Sequence, residues 1–136
     1  MIYLDSAAIV KLAHAEAESG ALRDWLDQRA ELDWVSSVLA EVESFRALAR
    51  HAPAAARRLH SVLDLIDLID LDAGIRLTAQ AVGPASVRSL GAIHLATALH
   101  LGPRLTTFIT YDRRLADAVA EAGLPMAMPT ESGGPH

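Results

Sequence analysis

Ile2-Tyr3-Leu4-Asp5-Ser6-Ala7-Ala8-Ile9-Val10-Lys11-Leu12-Ala13 decides the fold class. Three apolar residues stop at an Asp-Ser pair, residue types whose side-chain oxygens accept the unpaired N–H groups of a helix's first turn. Beyond the pair, Ala8, Ile9, Leu12 and Ala13 recur at the spacing of one helix face. A short strand that runs straight into a helix is half of a βαβ unit, and the same change of period returns downstream. Trp34-Val35 leads through Ser36-Ser37 into a helix ending near His51. Residues 106–110 lead into a helix over 113–122, which Gly123 ends. Residues 66–71 and 125–128 read as further strands, the last at an edge, and 19–30, 53–65, 73–82 and 87–101 as helices. Such alternation predicts an α/β chain with a largely parallel sheet, covered by helices on both faces.

The chain has 136 residues, enough for one domain. That domain is expected over 1–129, with 130–136 as a disordered tail, because the tail holds no core-forming residue. Apolar residues make up 51% but aromatics only 4%, which favours thin, closely packed helices. The absence of cysteine excludes disulfides, Cys-ligated zinc, iron–sulfur clusters and thiol chemistry. A net charge of −5 argues against coating nucleic acid by bulk charge, yet leaves room for a local basic rim around an acidic centre. No basic leader opens the sequence, and its most apolar stretch, 90–101, is too short to span a bilayer. A cytoplasmic protein with no membrane partner is expected.

In open α/β sheets, sites gather just beyond the strand ends. Asp5 and Asp112 both fall there. On a helix running from Ser37, Glu41 has Val38, Phe45 and Leu48 as same-face neighbours, so it borders the apolar stripe while Glu43 points away. Together Asp5, Glu41 and Asp112 form a candidate oxygen-ligand cluster suited to Mg²⁺ or Mn²⁺. Such an ion activates water and neutralises charge on a phosphodiester. Taken singly, Asp5 and Asp112 are equally well helix caps, and Glu41 the partner of a buried Arg. Asp117 is either a neighbour of the cluster or a plain exposed residue. Asp64, Asp67, Asp70 and Asp72 are spaced as a solvated face. Arg113 and Arg114 follow one site acid, and Arg46, Arg50, Arg57 and Arg58 are candidates for a basic rim. Trp25, Leu26, Phe45 and Leu48 line either a groove for a partner helix or the core.

In their order, Ile2-Tyr3-Leu4-Asp5-Ser6, Ser36-Ser37 followed by Glu41, Leu90-Gly91-Ala92-Ile93-His94-Leu95-Ala96-Thr97-Ala98 and Ile109-Thr110-Tyr111-Asp112 resemble the PIN-domain family. Within it, they are most similar to the VapC toxins of bacterial type II toxin–antitoxin pairs, and the resemblance runs to about Pro129. It implies a three-layer α/β/α PIN fold and an endoribonuclease dependent on Mg²⁺ or Mn²⁺. RNA is then the substrate, a cognate antitoxin the inhibitor, and a homodimer the assembly. Carried onto this chain, Asp5, Glu41 and Asp112 are the catalytic acids of the metal site. The family has a metal-site aspartate where this chain has Gly91. Three consequences stay open: a natural protein without catalysis, an inactivated form of a toxin, or a three-carboxylate site of lower metal affinity. His94 belongs to the family motif and reads as structural. The alternative function is a binding module that engages RNA or an antitoxin without cutting. A phosphoryl-aspartate phosphatase is set aside, because Ala7 stands where its second acid belongs.

Overall fold

Residues 1–84 and 87–131 are described in a computed structural model of the chain. Strands β1 (Ile2–Leu4), β2 (Trp34–Ser37), β3 (Ile66–Ile69), β4 (Thr107–Ile109) and β5 (Met126–Ala127) form one sheet in the order β3-β2-β1-β4-β5. Every neighbouring pair is parallel. Parallel neighbours need crossovers, and helices supply them. α1 (Ser6–Ala13) and α2 (Ser19–Asp27) join β1 to β2, and α3 (Val38–His51) and α4 (Ala56–Leu63) join β2 to β3. α5 (Ala73–Ala81) and α6 (Ser89–Leu101) join β3 to β4, and α7 (Arg113–Glu121) joins β4 to β5.

Strand alternation sends side chains to two cores. Ile2, Leu4 and Ile109 pack with Ile9 and Leu12 of α1, Leu22 and Leu26 of α2, Leu48 of α3 and Leu59 of α4. On the opposite face Tyr3, Val35 and Phe108 pack with Leu95 and Ala98 of α6 and Leu115 and Val119 of α7. The result is the three-layer α/β/α sandwich expected from the sequence.

Several element bounds differ from expectation for local reasons. The helix read over 53–65 divides into a 3₁₀ turn, Pro53–Ala55, and α4. α6 starts at Ser89, not at 87, because Arg88 holds an extended backbone with φ −72° and ψ 162°. It ends at Gly102, whose φ of +56° with ψ of −132° is closed to residues bearing a side chain. β3 stops at Ile69, and Asp72 then caps α5 by accepting the Ile75 N–H at 2.8 Å. Asp64, Asp67, Asp70 and Asp72 are all exposed. The candidate groove of Trp25, Leu26, Phe45 and Leu48 is not a surface: Leu26 and Leu48 are core, Trp25 is half-buried and Phe45 faces solvent. Of the tail expected at 130–136, residues 132–136 lie outside the described residues. Glu131 lies within them, and its carboxylate accepts the Ala21 N–H of α2 at 3.3 Å. Among the described residues no helix is long and apolar enough to cross a membrane.

Candidate functional site

Because all strands run the same way, the ends of β1 and β4 deliver the residues that follow them to one edge of the sheet. Asp5 follows β1, and its N–H donates to Ile109 O of β4 at 3.2 Å. Its side chain caps α1, Oδ1 accepting the Ala8 N–H at 2.9 Å. Asp5 is only 4% exposed. Burial pushes its carboxyl above the usual value, and the charge of Asp112 acts the same way. The Thr110 hydroxyl, the Ala8 N–H and His94 offset this only in part. Asp112 follows β4 and caps α7, Oδ1 accepting the N–H groups of Arg114 at 2.9 Å and Leu115 at 3.3 Å. Both acids are therefore helix caps, and both still line one cavity.

α3 brings the third acid, and it is not the expected one. Glu41 is exposed and does not line that cavity, whereas Glu43 is half-buried and lines it together with Asp5 and Asp112. The expected orientation rested on Val38, Phe45 and Leu48, of which only Leu48 is buried; the buried face of α3 is Ala40, Ser44 and Leu48. The Ser44 hydroxyl donates to Ala40 O within the helix at 2.6 Å, so this polar residue enters the core with its hydrogen bond satisfied. The cavity-facing side of α3 carries Leu39, Glu43, Arg46, Ala47 and Arg50. That three- and four-residue spacing was the signal in the sequence for Glu43.

Glu43 Oε1 accepts the Ser6 hydroxyl at 2.7 Å and lies 3.0 Å from His94 Nε2. Burial alone raises the Glu43 carboxyl, but the hydrogen bonds from His94 and Ser6 overcome it and hold the group below its usual value. The cavity measures about 1010 Å³ and is walled by α1, α3, α6 and the start of α7. Lys11, Arg46, Arg50 and Arg88 stand around the acids. A second recess of about 460 Å³ lies beside Gly91 and Asp112, edged by Arg88, Arg113 and Arg114. The basic rim thus keeps Arg46 and Arg50 but not Arg57 or Arg58; Arg58 donates to Ala13 O at 2.9 Å instead. Asp117 is exposed on α7 and lines neither space.

Gly91 lines both spaces. A Cβ built there lies 3.1 Å from Val87 Cγ1 and 3.7 Å from Leu115 Cδ1, so a side chain needs only a small shift of Val87. Among the described residues no group of three His, Cys, Asp or Glu is disposed to hold a metal ion. The donors present are oxygens, as Mg²⁺ and Mn²⁺ prefer. One oxygen of each acid, Asp5 Oδ1, Glu43 Oε1 and Asp112 Oδ1, accepts a protein hydrogen bond, and position 91 offers no side-chain oxygen. The residues present therefore do not close a metal site.

The buried Asp5 has a measurable consequence. A carboxyl raised in the folded state destabilises the fold once ionised, so stability falls as pH rises from the unfolded value of about 3.9 through the raised one. Asp5→Asn keeps an acceptor for the Ala8 N–H and removes the buried charge. We expect its Tm to exceed that of the parent chain at pH 8, with the difference shrinking to nothing as acid protonates Asp5. Thermal unfolding from pH 4 to 8 checks this, and a deficit at pH 8 would contradict it.

The PIN domain family profile matches residues 2–121. Over 134 residues the chain is 46% identical to Ribonuclease VapC35 of Mycobacterium tuberculosis, covering 97% of this chain and 99% of that one. The crystal structure of VapC20 of Mycobacterium tuberculosis, a Sarcin-Ricin loop cleaving toxin, superposes with a TM-score of 0.76 at 15% identity, over 95% of this chain and 100% of that one. That of VapBC2 from Rickettsia felis, bound to a DNA fragment from its promoter, gives a TM-score of 0.69 at 13% identity, over 94% and 98% of the two chains.

Proposed function

This chain belongs to the PIN domain family, and we propose that it is an endoribonuclease toxin of the VapC type whose acidic centre is one carboxylate short. The observation that carries this reading is the gathering of Asp5, Glu43 and Asp112 around Gly91 in one cavity ringed by basic residues. Glu43 takes the place given to Glu41 from sequence.

The arrangement suits an RNA backbone. Arginine guanidinium groups at Arg46, Arg50, Arg88, Arg113 and Arg114 fork onto phosphate oxygens and position the strand without reading its bases. A phosphodiester held on that rim lies over the acidic floor. There the oxygens of Asp112 and the ionised Glu43 are the groups closest to solvent, and Asp5 lies beneath them. An all-oxygen floor calls for Mg²⁺ or Mn²⁺, and a carboxylate at position 91 is the ligand that would complete it. A cognate antitoxin is the expected inhibitor: Val10, Leu39, Val42 and Leu90 beside Lys11 and Arg46 offer apolar and cationic contacts to an amphipathic segment carrying acids. A homodimer is the expected assembly.

The second reading, an RNA- or antitoxin-binding protein that does not cut, is favoured by one observation, the absent carboxylate at Gly91. RNA cleavage in Mg²⁺ or Mn²⁺ by this chain and by Gly91→Asp separates the two. We expect the Asp form to cut at least about tenfold faster. Equal rates would mean that three carboxylates suffice. If neither form cuts while both retain RNA or an antitoxin, the binding module is the function.

A further inference from the structure

His94 is 3% exposed, yet both of its ring nitrogens are engaged. Tyr3 Oη lies 2.7 Å from Nδ1, and Glu43 Oε1 lies 3.0 Å from Nε2. Tyr3 is itself wholly buried in the middle of the sheet. It stacks on Phe108 at 4.7 Å between centroids and stands edge-on to the His94 ring at 5.7 Å and 80°. These contacts fix the ring, so Oη stays beside Nδ1. Glu43 Oε1 belongs to a carboxylate held below its usual value and can only accept, so the proton shared with His94 sits on Nε2. In a neutral imidazole with its proton on Nε2, Nδ1 keeps a lone pair that accepts the Tyr3 O–H.

We propose that Tyr3 and His94 are positioning residues for the acidic centre. Tyr3 fixes His94 as the Nε2–H tautomer, and that N–H, with the Ser6 hydroxyl, holds the Glu43 carboxylate turned into the cavity. A glutamate on a helix surface has three side-chain torsions to order, and fixing them in advance removes that cost from binding. The chain of contacts starts in the core face of β1 and crosses α6 to reach α3, so it ties the site acid to the most rigid part of the fold. The same turn of α6 that carries Gly91 carries His94, three residues on and on the same side. The inference rests on the reading of Glu43 as a site acid, but its test requires neither RNA nor metal.

Two-bond ¹H–¹⁵N correlation spectra of the full chain report the tautomer. We expect His94 to carry its proton on Nε2 with Nδ1 bare, and Tyr3→Phe, which removes only the hydroxyl, to move both nitrogens toward shared values. A proton on Nδ1 in the unmodified chain overturns the proposal. Three-bond couplings report the Glu43 rotamer, expected to be single in the unmodified chain and in His94→Gln, whose amide replaces the N–H, and averaged in His94→Phe. An averaged Glu43 in the unmodified chain, or an unchanged one in His94→Phe, overturns the positioning role. RNA cleavage that fails in the Gly91→Asp chain as well, while these signatures hold, refutes the nuclease reading and leaves the tautomer assignment standing.

Discussion

In a Gly91→Asp chain, Glu43→Gln is expected to lose at least about 100-fold in RNA cleavage, while Glu41→Gln leaves the rate unchanged. The two residues sit two apart on one helix and differ in everything except residue type. Glu43 is half-buried, lies within hydrogen-bond distance of Ser6 and His94, and is held ionised by them. Glu41 is exposed and does not line the cavity that holds Glu43. Glutamine preserves shape and an acceptor for the Ser6 hydroxyl, so the variant removes charge and little else. Single-turnover cleavage in Mg²⁺ or Mn²⁺ makes the comparison. A loss confined to Glu41→Gln would mean that α3 presents its other face to the site.

Phe108→Ala is the substitution expected to cost most in stability, about 3–5 kcal/mol, and hence a fall in Tm of about 10 °C or more. Phe108 is wholly buried at the centre of β4, paired in register with Tyr3 of β1 and with Met126 of β5. Its ring lies nearly parallel to that of Tyr3, at 9°. Truncation leaves a void between sheet and α6 that the strands cannot close, because both neighbours hold them at fixed spacing. Denaturant and thermal unfolding measure the loss. A change under about 1 kcal/mol would show that α6 and α7 collapse into the space. The same variant removes the support behind Tyr3, so the tautomer signature of His94 should weaken with it.

Much of this protein is legible in local sequence. A three-residue apolar run ending in Asp5-Ser6 dictates a strand passing into a capped helix, and Asp112 repeats the pattern after β4. Once the sheet is parallel, both acids must arrive at the same edge, so their shared cavity follows from period and capping alone. Gly91 is legible as well, since the resemblance in motif order marks it as the position where the family carries an aspartate. What local sequence did not determine is which way α3 faces. Hydrophobic spacing reads residue type, and there the exposed residues Val42 and Phe45 are large and apolar while the buried Ala40 and Ser44 are small or polar. Burial on that helix was decided by close approach to the sheet and α1, which favours small side chains over apolar ones. The rim was settled the same way, by Arg58 finding Ala13 O on a neighbouring helix while Arg46 and Arg50 found the cavity. The contact of Tyr3 with His94 joins residues 91 positions apart. No spacing along the chain encodes it; it exists because β1 and β4 pair side by side and α6 packs across the face that Tyr3 occupies.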